Sequence, residues 1–164
     1  MAITSSSSSG ARIAALVRAA TGVIFIAEGA GKMLGGFVRG GFARQTTEML
    51  SQAWPFWAGF LRAVVLPHAA VFAWVIAAGE LAVGTGLLIG LWTRAAAAGG
   101  ALLMMAILLA QSYPAGGASW DKWITAGLTT KFALLLLVLI AAADAGRVWG
   151  LDANRSAPRR GIRR

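Results

Sequence analysis

The chain has no cysteine and a single histidine. Without cysteine there is no disulfide, no thiolate nucleophile, no iron–sulfur cluster and no cysteine zinc site. One histidine excludes bis-histidine haem and a histidine-cluster metal centre within this chain. Acidic residues are scarce, 6 against 15 basic ones, for a formal net charge of +9. Charged residues make up 13% of the 164 residues, where a soluble domain carries about 25%. What is abundant is apolar: 58% of residues are hydrophobic, and the mean hydropathy is +0.70. A chain this short has no interior large enough to hide that surface from water, which argues against a soluble enzyme and against disorder outside the tails. In a membrane protein a basic excess sets orientation or touches anionic lipid rather than binding nucleic acid.

Four apolar stretches run from about Ile13 to Leu34, Pro67 to Leu91, Thr93 to Tyr113 and Trp123 to Ala143. Crossing the hydrocarbon core takes about 20 residues at 1.5 Å each. The pattern predicts an all-α, integral membrane four-helix bundle over residues 12–150. It is preceded by a low-complexity tail, 1–11, expected to be disordered, and followed by a basic tail, 151–164. A cleaved leader is disfavoured because Arg18 interrupts its apolar region. The long connection, Gly35 to Leu66, carries Trp54, Phe56, Trp57 and Phe60, with Pro55 breaking any continuous helix. Amphipathic aromatics prefer the headgroup level, so this segment is predicted to form short interfacial helices, a lid over the bundle, with His68 beside it. Trp120 and Trp123 are expected at the same surface and Trp149 at the opposite one. Arginines at 12, 94, 147, 155, 159, 160, 163 and 164 outnumber the basic residues 32, 39, 44, 62 and 122 of the other side, which places both termini in the cytoplasm.

Ionisable residues inside the spans are the candidates for chemistry: Arg18, Glu28, Lys32, Glu80 and Lys131. Each would cost about 2.5–3.5 kcal/mol if unpaired at the bilayer centre, so they are expected to face the bundle interior and neutralise one another. Counting depth from the span ends brings Glu28 near Lys131, and Glu80 near either Lys131 or Arg18; Glu28 and Lys32 share a face at i, i+4. Two readings stand: an ion-pair network that fixes helix register, or a polar pocket for a quinone headgroup or for protons. His68 reads as an interfacial hydrogen-bonder, with proton donation to a quinone as its alternative. Gly84-Thr85-Gly86-Leu87-Leu88-Ile89-Gly90 has the wrong spacing for a dinucleotide fingerprint and lies in a span; Gly86, Gly90, Gly99 and Gly100 are expected at close helix contacts. The tail SAPRRGIRR is expected to touch anionic lipid headgroups.

Three stretches together resemble the DoxX family of small four-span membrane proteins. They are LVRAATGVIFIAEGAGKMLGG (16–36), AAGELAVGTGLLIGLWTRAAA (77–97) and DAGRVWGLDA (144–153), the last with Asp144 and Gly150 where the family usually has Gly and Ser. Arg18, Lys32, Glu80, Arg94 and Arg147 are the matching polar positions; Glu28 and Lys131 come from the span argument alone. The resemblance implies a bacterial inner-membrane protein in redox work, with thiosulfate:quinone oxidoreductase one branch of the family. It implies partners such as a soluble oxidoreductase, a superoxide dismutase or a sulfurtransferase, and oligomers. The expectation is thus a membrane subunit of a redox-linked complex that takes a quinone between its helices, with no covalently bound cofactor and no metal. The alternative is a non-enzymatic anchor or assembly subunit.

Overall fold

The computed structural model describes residues 4–113, 120–143 and 145–155. The Pro114 and Gly116-Gly117 turn, Asp144 and the tail from 156 onward lie outside the described residues. Helix α1 spans Thr4–Leu34, α2 Phe42–Met49, α3 Pro55–Phe60, α4 Ala69–Ile89, α5 Thr93–Gln111, α6 Trp120–Thr125, α7 Leu128–Ala142 and α8 Asp152–Arg155, with no strand among the described residues. Among the described residues three helices are long and apolar enough to cross a membrane: Ser9–Leu34, Ala69–Ile89 and Thr93–Gln111.

The fourth rod differs from expectation. Trp123 to Ala143 is not one helix but α6 and α7, separated at Gly127, whose φ of +64° only glycine adopts without penalty. A Cβ there would lie 2.9 Å from the Gln111 amide nitrogen, so close approach to α5 is a second reason for the break. The 15 residues of α7 cover roughly 22 Å. α1 departs in the other direction, beginning at Thr4 inside the stretch assigned to a disordered tail. A serine run has no helix breaker, and extending an existing helix costs far less than nucleating one.

The rods pack as two antiparallel pairs, α1 with α4 and α5 with α7, joined along α4 and α5. Glycines set the first pair. A Cβ on Gly22 would sit 2.7 Å from the Leu88 backbone nitrogen, and one on Gly29 would sit 2.9 Å from the Ala77 carbonyl oxygen. The two backbones are therefore in contact, as small residues allow where lipid offers no hydrophobic drive. Phe25, Val83, Leu87, Ala97, Met104, Leu137 and Ile140 fill the core between the pairs. α4 stops at Gly90 (φ +66°), where Leu91 N–H donates to the Gly86 carbonyl and Gly90 N–H to that of Leu87, a Schellman ending. Gly90 both caps a helix and meets neighbours, since a Cβ there would strike the Arg18 guanidinium and the Gly150 Cα, and Gly86 and Gly100 touch Ala96 and Val83.

The outer segment is helical. A kinked turn at Phe37–Gly41, with Gly40 at φ +109°, leads into α2. α3 begins on Pro55, which suits a first helical position, and a π-helical turn covers Leu61–Val65. α4 then starts at Ala69, two residues after Pro67. This cap packs on α4 and α5 through Ala53, Ala58, Leu61, Val65 and Ala110. Trp54 N–H donates to the Leu109 carbonyl at 3.0 Å and Tyr113 N–H to that of Gln52 at 2.9 Å, pinning the cap to the end of α5.

Candidate functional site

Beneath the cap, Lys32 donates to both carboxylate oxygens of Glu80, at 2.8 and 2.7 Å, and to Glu28 at 3.4 Å. The Glu80 side chain is 3% exposed, that of Lys32 22% and that of Glu28 66%. Helix register explains the pairing. Gly22 faces Gly84 and Gly29 faces Ala77, so Glu80 lies level with about Ile26. Lys32 is six residues further along α1, roughly 9 Å. Helical side chains lean toward their own N-terminus, so in this antiparallel pair Lys32 leans down, Glu80 leans up, and the gap closes.

This layer adjoins an apolar cavity of about 370 Å³ roofed by the cap and walled by α4 and α5. Phe37, Phe42, Met49, Trp57, Phe60 and Leu61 come from the cap; Phe72 and Ile76 from α4; Leu103, Ala106, Ile107 and Ala110 from α5. Lys32, Gln45 and Thr46 are its polar lining residues. Trp57 lines the cavity, and its indole N–H is buried and has no acceptor. Such a group costs about 1–3 kcal/mol unless something accepts from it. The Trp57 and Phe60 rings lie 4.9 Å apart, and the Lys32 ammonium stands 5.8 Å from the Phe37 ring. The space is at the small end of ligand sites and suits a ring-sized head.

The other residues singled out from sequence lie elsewhere. Arg18, 2% exposed, sits level with Leu88 and so roughly 12 Å along the axis from Glu80. It donates to the carbonyls of Ala145, Val148 and Trp149 at 3.0, 3.3 and 3.2 Å. The expected Arg18–Glu80 pair is not formed, because Pro67 lies about five residues beyond the level of Leu34, which lifts Glu80 away from Arg18. Lys131 donates to the Ile124 carbonyl at 3.3 Å across the Gly127 break and meets neither Glu28 nor Glu80, since α7 packs mainly on α5 and only slightly on α1. Of the aromatic lid, Trp57 and Phe60 line the cavity. Trp54 is an anchor, its indole donating to Ser112 at 3.4 Å and its ring edge-on to Tyr113. His68 is exposed at the start of α4, outside the cavity.

Two features escaped the sequence reading. Phe37, Phe42, Thr46 and Met49 line the cavity; their spacing of three to five residues was the available signal. Asp152 is the other. Its carboxylate accepts from Trp92 N–H and Thr93 N–H at 2.9 Å each, capping α5 from the far end of the chain. Together with Arg18 it clasps the 145–152 segment to the turn between α4 and α5. A Cβ at Gly150 would collide with the Gly146 carbonyl and the Arg18 guanidinium, which accounts for glycine at that position here.

Among known proteins, the family model of DoxX matches residues 13–112. No curated protein and no solved structure gives a match.

Proposed function

We propose, from the premise that this chain belongs to the DoxX family of membrane proteins, that it is the membrane subunit of a redox-linked complex and binds a quinone ring under its cap. The observation that carries this reading is an apolar, aromatic-walled cavity bordered by Lys32 and by Trp57, whose buried indole N–H has no acceptor. A quinone supplies a flat ring for the aromatic wall and carbonyl acceptors for the Trp57 N–H and, in exchange for the long 3.4 Å contact to Glu28, for Lys32. Reduction to a quinol takes two electrons and two protons. Glu28, Lys32 and Glu80 are the proton-carrying groups beside the ring, with Glu28 facing outward. The electrons come from a partner, a soluble oxidoreductase or sulfurtransferase, or from a bound organic substrate. The setting is a bacterial inner membrane with both termini in the cytoplasm, the cap facing the opposite side.

Purification in a mild detergent, followed by extraction and mass spectrometry, tests this reading. The parent protein should retain quinone, and Trp57→Phe, which keeps the wall and removes the donor, should retain it roughly tenfold less tightly. Quinone absent from the parent, or held equally by both, refutes it. A second reading, a non-enzymatic anchor, draws on Arg18 and Asp152, whose contacts serve only to hold the chain together. On that reading Glu80→Gln lowers abundance and leaves a co-purifying partner's specific activity unchanged. On the first reading it impairs quinone-linked turnover at near-normal membrane levels.

A further inference from the structure

The cavity under the cap is open on one side. A second apolar depression, about 820 Å³, runs along the exposed face between α4 and α5, and Ile76 and Leu103 line both spaces. From Leu103 it descends to Trp92, 11 residues of α5 or roughly 16 Å. Two glycines shape it. A Cβ at Gly79 would have nothing within 4 Å, and one at Gly99 would reach only Val83, at 4.0 Å. These positions contrast with Gly22, where a Cβ would strike the backbone of α4. Gly79 and Gly99 do not bring helices of this chain together; they leave a trough. An extended hydrocarbon chain fits along it, and the residues it shares with the cap cavity, Ile76 and Leu103, put its upper end at that cavity.

We infer that the ligand is a neutral, hydrogen-bond-accepting ring bearing an apolar tail, and that the tail passes between Ile76 and Leu103 to lie in the α4–α5 trough. The inference rests on the cap cavity being a head-group site. Neutrality follows from the local charges: one ammonium stands between two carboxylates, Glu80 and Glu28, so the site carries a formal excess of negative charge and disfavours a carboxylate or phosphate head. Moving a tail from bilayer to trough gains no hydrophobic free energy, since lipid is as apolar as the trough. The tail therefore gives orientation and an entry route from the membrane, and its signature is where it lies rather than how tightly the ligand binds.

The test uses the full chain in phosphatidylcholine vesicles and a benzoquinone with a decyl tail ending in a diazirine. After irradiation, cross-linked peptides are mapped by mass spectrometry. Cross-links should concentrate on the facing residues of α4 and α5, be displaced by tail-less dimethoxy-methylbenzoquinone, and resist palmitate. In Gly79→Leu and Gly99→Leu, which fill the trough where the protein itself leaves room, they should fall about tenfold, the order expected from forcing methylenes into an occupied space. Binding of the tail-less ring, read by tryptophan quenching, should be unchanged in both variants. If that ring binds but cross-links scatter over all lipid-facing helices, or persist in both variants, the cap site stands and the tail assignment falls. If the ring does not bind the parent, or palmitate alone displaces the probe, the head-group reading fails and the tail assignment with it.

Discussion

Lys32→Met should be the most damaging single change in the polar layer, and more damaging than Glu80→Gln. Methionine matches the length of lysine and keeps the apolar stem, so the change isolates the ammonium. Its loss leaves Glu80, 3% exposed, without the cation that binds both of its oxygens at 2.7–2.8 Å. Removing one partner of a buried pair strands the other and costs about 3–5 kcal/mol. Glu80→Gln is gentler. The amide still offers an oxygen to Lys32, and Lys32, 22% exposed, keeps Glu28 at 3.4 Å. A cost of about 1–2 kcal/mol follows, that of weakening one charge-assisted hydrogen bond. Combining the two removes the stranded charge, so the double variant should be more stable than Lys32→Met alone, with a coupling of about 1–3 kcal/mol. Unfolding in mixed micelles, titrated with SDS and followed by tryptophan fluorescence, measures all three against the parent. Glu80→Gln costing as much as Lys32→Met, or strict additivity in the double variant, would refute the assignment of Glu80 as the buried partner.

Glycines at contact and in the trough should respond oppositely to alanine. Gly22→Ala places a Cβ 2.7 Å from the Leu88 nitrogen and should destabilise by about 1–3 kcal/mol, while Gly79→Ala meets nothing and should be neutral or stabilising by up to about 1 kcal/mol in the same titration. Asp152→Ala removes both acceptors at the start of α5 and should cost about 1–2 kcal/mol, with faster proteolysis after residue 143 as the independent readout. Because the chain has no cysteine, His68→Cys and Leu151→Cys give clean topology probes. In intact cells an impermeant maleimide should label the first and spare the second until the membrane is opened, and the reverse pattern would invert the proposed orientation.

The spans, the cap and the family were legible in the sequence because each is written in local runs: twenty apolar residues, a Trp–Pro–Phe–Trp cluster, and the stretches 16–36 and 77–97. The break at Gly127 was less so. A glycine among Thr and Leu reads as tolerable inside a helix, and only its approach to Gln111 on α5 makes the left-handed turn the better solution. The early start of α1 has a similar origin: serine composition signals a tail, but the long apolar helix behind it carries the nucleation cost.

Pairing among the buried charges depended on a quantity that no single helix contains, the axial offset between neighbours. Taking Pro67 as level with Leu34 put Glu80 beside Arg18; the contact of Gly22 with Gly84 and of Gly29 with Ala77 shifts α4 by about five residues and hands Glu80 to Lys32. The glycines that set this offset were visible in the sequence, as was the i, i+4 pair of Glu28 and Lys32. What joins them is reach. A lysine at the top of α1 and a glutamate lower on an antiparallel α4 lean toward each other, so a mismatch of roughly 9 Å in level is no obstacle, whereas in a parallel pair both would lean the same way and the gap would remain. The same geometry separates the two ends of the molecule chemically. Arg18 leans away from the cap and is spent on backbone carbonyls of the closing segment, while at the cap end Lys32 borders an apolar cavity. A ligand site is therefore to be sought there and not along the whole row of charges.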